Sequence, residues 1–328
     1  PVYSWGCAAG HAIRMASRLT GRRRVLIPRY LDPERAAVIR NYCEPPEMPT
    51  HIDIVEVNVE PGTRQLDMAD LHEKLSADVA AIYFENPSYL GHFEPGAAEI
   101  VGAAHAAGAL AIVGVDPLSL GIVTPPGAYG ADITVGSIQP LGIHMHCGGG
   151  LGGFIASRDE PDYAHEYPAL MVSIAETTAG ERGFGLALMH QSSYGSREDG
   201  KDWTGNSTYL WAVGCAAYMA LLGPAGFREL GELIIQRAHY AASLVDALPG
   251  IRVPARQGFF KEFVVNFDDT GKTVADINKS LLEHSIHGGL DLSRAFPELG
   301  QSALYCVTEL HSQADLQALA NALGEVSG

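Results

Sequence analysis

Lysine is scarce in this chain: five residues in 328, at Lys74, Lys201, Lys261, Lys272 and Lys279. Chemistry that runs through a lysine imine therefore has few places to occur. Cysteine is also sparse, with Cys7, Cys43, Cys147, Cys215 and Cys306 far apart, odd in number and in no C-x-x-C pair. That pattern argues against a disulfide framework and points to a reducing, cytoplasmic setting. Basic residues are outnumbered 22 to 38, giving a net charge of −16, which disfavours nucleic acid as a partner because the phosphate backbone needs a basic face. Arg22–Arg24 is a short basic run and directly precedes a strand. No unbroken run of about 18 apolar residues occurs, so no membrane span is expected. No signal peptide is evident, and because the chain starts at Pro1 without Met, a missing N-terminal part is expected.

What is present suits a large α/β protein. The chain is 47% apolar and 18% charged, enough for a sizeable core and more than one domain. Helices are read at residues 6–19, 32–42, 68–75 and 97–107, and strands at 24–27, 54–59, 79–84, 110–115 and 133–136. Their alternation predicts a mostly parallel sheet with helices on both faces. Residues 159–197 read as a long polar connection with one apolar helix near 185–191. An apolar helix over 203–222 is broken by Gly223-Pro224. Beyond it, an amphipathic helix over 227–248, strands at 251–253, 259–267 and 303–308, and helices at 274–284 and 312–326 predict a smaller α+β unit. The expected division is therefore 1–222 and 223–328.

The organising stretch is Ala109–Gly153. An apolar strand ends on a carboxylate, Asp116; a Pro/Gly turn leads to a second strand, then Ser137 and Gln139. A carboxylate at the end of a buried parallel strand lies at the sheet edge where open α/β folds bind ligands. The local alternative, less favoured, is a cap for the Pro117 turn. Ser137 and the small residues Gly6, Cys7 and Ala8 suit an anion cradle, through a hydroxyl and helix-start amides, or simple close packing. Asn86 and His92 lie in a strand-exit loop, where Asn86-Pro87 favours a turn over a ligand contact. His144 and His146 would face one side of an extended segment beside Cys147. With no third ligand adjacent, a subunit-boundary contact is favoured over a metal. Arg294, after the glycine pair at 288–289, could hold a carboxylate or a surface partner. Lys201 reads as a solvated loop residue.

Several strings carry a specific resemblance: VDPLSLGIVTPPGAYGADITVG with QPLG and GGGLGGFIA, ENPSYLGHFE, YLWAVGCAAYMALLGPAG, GFFKEFVVNF and HGGLDLSRAFPEL. They resemble the first (α) subunit of glycine dehydrogenase (decarboxylating), the P-protein family of the glycine cleavage system, from Tyr3 to the C-terminus. The resemblance implies the pyridoxal-phosphate (PLP) transferase fold of the aspartate-aminotransferase type. In that fold an acid at the position of Asp116 pairs with the cofactor's ring nitrogen, and a lysine after the next strand holds the cofactor. Gln139 stands where that lysine should be, and an amide cannot form an imine. The resemblance thus implies a non-catalytic subunit, with Asp116, Ser137 and residues 6–8 as a vestigial cofactor crevice. Asn86, His92, His144, His146 and Arg294 become candidate substrate or partner contacts. It further implies a hetero-oligomer with a lysine-bearing subunit 2-like chain that binds the PLP, decarboxylation of glycine, and transfer of the aminomethyl group to a lipoyl carrier protein. Trp203, Trp211 and the 159–197 connection are candidate interface. The loop SREDGKDWTGNS and the HMHC segment depart from the family pattern, leaving a different amino-acid decarboxylase or lyase, or a metabolite-binding protein, as alternatives.

Overall fold

The computed structural model describes residues 1–144, 151–187, 201, 204 and 208–327. Helix α1 (Trp5–Thr20) starts at Ser4, whose hydroxyl accepts from the Cys7 amide, and stops at Gly21 in a left-handed conformation. Its buried stripe is mostly Gly and Ala, so it can lie close over the sheet. Strand β1 (Arg24–Pro28) leads to α2 (Pro33–Cys43), where Asp32 caps the first turn and Pro33 takes the first helical position. Then follow β2 (Asp53–Val57), α3 (Met68–Lys74), β3 (Val79–Glu85), α4 (Ala97–Ala106), β4 (Leu110–Val115), β5 (Ile133–Ser137) and β6 (Gly153–Ser157).

These strands form one sheet of order β2-β1-β3-β4-β5-β6, parallel except for β6. Strand β3 is buried along its whole length, as a parallel strand covered on both faces must be. One face packs beneath α1 and α2 around Ile13, Met15, Val25 and Tyr83. The other packs against Ile100, Val101 and Ala104 of α4. The fold is thus the α/β, mostly parallel arrangement that the alternation predicts.

A short helix, α5 (Pro161–Ala164), precedes an antiparallel hairpin, β7 (Met171–Glu176) and β8 (Arg182–Ala187). The hairpin corrects the expected helix near 185–191: residues 185–187 belong to β8, and 188–191 lie outside the described residues. The apolar–polar alternation of Val172, Ile174, Phe184 and Leu186 sets the strand period, and these four side chains are exposed. Helix α6 (Tyr209–Asp246) is broken at Gly223, whose φ of 59° and ψ of −178° are not helical, and Pro224 cannot supply the missing amide. Its best window has a mean hydropathy of 1.5, long and apolar enough to cross a membrane, with 6% of that window buried. The count of unbroken apolar runs did not detect this. Residues Ala238, Ala241, Ala242 and Val245, beyond the break, are instead packed into the C-terminal core.

That core lies under a three-stranded antiparallel sheet of order β10-β11-β9, made of β9 (Glu262–Asn266), β10 (Leu290–Asp291) and β11 (Ser302–Cys306). Helices α7 (Val274–Glu283) and α8 (Gln313–Ser327) flank it. The strand expected at 251–253 is reduced to a single bridge between Arg252 and Asn266.

Candidate functional site

Register brings the ends of the central strands together. Val115 pairs with Gly136 and Glu85 with Gly114, so Glu85, Asp116 and Ser137 emerge at one sheet edge. Gly114 is needed there for space: a Cβ would sit 2.8 Å from the Tyr83 hydroxyl and 3.1 Å from Trp5. The crevice at this edge, of about 240 Å³, is lined by Trp5, Arg35, Glu85, Asp116, Gln139 and Lys261, among others.

Asp116 is buried. Its Oδ1 accepts from the Leu118 amide at 2.9 Å, and its Oδ2 is ion-paired with Lys261 Nζ. Lys261 arrives from the other layer, immediately before β9, and also lies 3.7 Å from Glu262 Oε1. Burial opposes charge on Lys261, but Glu262 and Asp116 outweigh it and hold the ammonium well above the usual lysine range. This amine is therefore a cation and not a nucleophile. Gly91 sets its position: the Phe260 amide donates to the Gly91 carbonyl at 2.9 Å. With φ of 91°, a Cβ on Gly91 would lie 1.8 Å from the Glu262 carbonyl oxygen.

A second ion pair forms the adjacent wall. Arg35 donates to Glu85 Oε1 at 2.6 Å while its guanidinium lies 3.8 Å from the centre of the Trp5 ring. The Tyr83 hydroxyl donates to the same oxygen at 2.6 Å. Burial raises the Glu85 carboxyl above its ordinary value even against the pull of Arg35.

Among the residues expected to form the site, Asp116, Ser137 and Gln139 are brought together. Gln139 Nε2 donates to the Ile143 carbonyl at 3.1 Å, and the Gln139 backbone N–H donates to Ser137 Oγ at 3.1 Å, so both residues are engaged in closing their own loop. Gly6 packs α1 against α2, with Val38 3.0 Å from where its Cβ would be, while the Cys7 amide is taken by Ser4. Ala8 is buried. Asp32, Glu34 and Arg35 line the cavity beside Gly6 and Ser137, so two carboxylates there face a single guanidinium. Asn86 Oδ1 accepts from the Glu94 amide at 3.1 Å, holding its own turn. His92 is buried and its Nε2 donates to the Ala255 carbonyl at 2.7 Å. Burial lowers its pKa and keeps the ring neutral, and it lines a separate small cavity with Tyr30, Arg64 and Glu94. His144 and Arg294 are exposed and do not line the crevice. His146, Cys147 and Trp203 lie outside the described residues, and Trp211 packs beside Ile138, Leu141 and Ile143. Lys201 is not a free loop residue: it meets Glu166 at 2.6 Å, which also holds Arg18. No group of three or more metal-ligating side chains occurs among the described residues.

Lys261 and Arg35 were missed from sequence. The available signal was the charged pair Lys261-Glu262 set between Phe260 and Phe263, since charge inside an aromatic run must find a partner.

The residues fit poorly to covalently held PLP. Just beyond β5 the chain carries Gln139 and not a lysine, and the lysine that lines the crevice touches the acid that a ring nitrogen would need. Ring nitrogen and aldehyde sit at opposite ends of the pyridine ring, so Lys261 cannot serve the aldehyde while holding Asp116.

Comparison with known proteins agrees with this architecture. A family model described as "Glycine cleavage system P-protein" matches residues 2–323. A protein of Staphylothermus marinus named "Probable glycine dehydrogenase (decarboxylating) subunit 1" is 35% identical over 99% of this chain and 69% of its own length. A protein of the same name from Desulfitobacterium hafniense is 34% identical over 99% of this chain and 70% of its own. A crystal structure of glycine decarboxylase (P-protein) of the glycine cleavage system, in inhibitor-bound form, superposes with a TM-score of 0.88 at 34% identity, over 99% of this chain and 70% of that one. A sphingosine-1-phosphate lyase from Burkholderia pseudomallei, at 14% identity and a TM-score of 0.68 over 99% of this chain and 69% of its own, shares the fold.

Proposed function

The chain belongs to the glycine cleavage system P-protein family, and from that premise we propose that it is the cofactor-free subunit of a glycine dehydrogenase (decarboxylating). The family is PLP-dependent, and this chain's part is to complete and support an active site whose lysine and PLP belong to a sister chain. That assembly decarboxylates glycine and passes the aminomethyl group to a lipoyl carrier protein. One observation carries the reading: at the sheet edge, Gln139 is tied to the Ile143 carbonyl where the fold needs a lysine.

An unusual apolar surface supports the partner. Val172, Ile174, Phe184 and Leu186 on the hairpin, and Leu210, Val213, Met219 and Leu221 on the first half of α6, are exposed. The Tyr209 hydroxyl donates to the Leu170 carbonyl at 3.0 Å, joining hairpin and helix. Patches of this kind mark interaction sites, and obligate interfaces are large and apolar. The buried side of α6 places Cys215 against Ile138, Leu141 and Ile143, so a chain seated on the exposed side is separated from the loop that bears Gln139 by this one helix.

Co-expression with a lysine-bearing companion tests the reading. The pair is expected to exchange bicarbonate with the glycine carboxyl, and this chain alone to show neither exchange nor a borohydride-reducible pyridoxal adduct. Exchange by the isolated chain would overturn it.

A further inference from the structure

The crevice is vacant of chemistry for a second reason, independent of Gln139. We propose that the Lys261 ammonium takes, at Asp116, the place the cofactor's ring nitrogen holds in the wider fold, so that an internal ion pair closes the crevice to PLP. The inference rests on the reading that this chain carries no cofactor, and goes beyond it by naming the group that replaced one.

Three features converge. Both Asp116 oxygens are engaged, one by the Leu118 amide and one by Lys261. The side chains are 6% and 14% exposed, so water does little to screen them. A protonated ring nitrogen brought to Asp116 would therefore sit beside an ammonium, like charge against like in a poorly solvated site. Finally, Lys261 is held from the C-terminal layer by backbone contacts: the Val307 amide donates to its carbonyl at 2.9 Å, and Gly91 binds Phe260 beside it. The cation thus belongs to the fold and also ties the two layers together, where Phe260 packs against Leu118 and Ile234.

Restoring the lost lysine is then insufficient. The full chain is prepared as wild type, Gln139→Lys and Gln139→Lys/Lys261→Met, with Gln139→Lys/Lys261→Gln as the substitute if the methionine variant does not fold by circular dichroism. Each is incubated with PLP, reduced with borohydride, and the adduct mapped by peptide mass. Gln139→Lys is expected to retain PLP poorly and the double variant at least about tenfold better, the equivalent of one pKa unit of differential interaction. Equal retention by the two, whether both hold PLP or neither does, overturns the inference. One equivalent of PLP reduced onto a single one of Lys74, Lys201, Lys272 or Lys279 of the wild type, at a PLP concentration that leaves the exposed lysines of a control protein unlabelled, would instead overturn the cofactor-free reading and leave the Asp116 pair standing; such an adduct on Lys261 would overturn both.

Discussion

Replacing Arg35 by Met asks how a buried carboxylate at this sheet edge is kept charged. The Glu85 side chain is 1% exposed and Arg35 12%, so removal of the guanidinium leaves an unpaired buried charge, a change that costs about 3–5 kcal/mol in comparable sites. The carboxyl has an escape: it can take up a proton. From the ordinary glutamate value of 4.5 to pH 7, neutralisation costs about 3.4 kcal/mol, which caps the charge-derived loss at that pH. At pH 5 the same ceiling is about 0.7 kcal/mol. Loss of the guanidinium over Trp5 adds about 0.5–2 kcal/mol at either pH. The sign follows from linkage: a carboxyl raised in the folded state contributes stability at low pH that is lost as pH climbs toward its folded value. The Arg35→Met deficit should therefore grow between pH 5 and pH 7 by no more than the difference between the two ceilings. Urea unfolding midpoints of wild type and variant at both pH values measure it. A deficit equal at pH 5 and pH 7 would refute the reasoning and reduce Arg35 to a packing residue.

Gly91→Ala should lower stability by about 2–4 kcal/mol, read by thermal melting, because its φ of 91° is strained for alanine and the new methyl meets the Glu262 carbonyl. A loss under about 0.5 kcal/mol would show that the Gly91–Phe260 contact does not set the position of Lys261. Asp132→Ala removes the acceptor of the Ala111 amide and of Arg158 Nε, both at 2.8 Å, and should cost about 1–3 kcal/mol in urea titrations through the stranded amide; no loss would mean that the amide finds another partner. Leu221→Glu, at a residue 88% exposed, should leave the isolated chain's melting within about 0.5 kcal/mol of wild type and abolish association with the companion on gel filtration. Intact association would place the interface elsewhere.

The large sheet was legible because its signals are local. Unbroken apolar runs such as Val79–Glu85 mark strands buried on both faces, and Asp32-Pro33 and Gly21 punctuate helices without help from tertiary structure. The hairpin was not legible. Its four apolar residues alternate, but the glycines among them and the exposure of all four side chains give no reason within one chain to choose strand over loop. On the interface proposed above, the order of these strands comes from the docked partner, which a single sequence does not contain.

The site divides along the same line. Asp116, Ser137 and Gln139 were readable because one βαβ-like segment carries all three, and the sheet edge follows from strand direction alone. Lys261 was not, for its relation to Asp116 spans 145 positions and two layers. A search for a Schiff-base lysine looks between the acid and the next strand's end, and finds an amide. It has no reason to ask which cation balances the acid that remains. A carboxylate at a buried strand end must be balanced by a cation, take up a proton or destabilise the fold. Asp116 is buried, and the cation that balances it is Lys261, which follows Phe260 into the interior. Charge balance calls for a cation beside Asp116, and only the meeting of the two layers shows that it is Lys261.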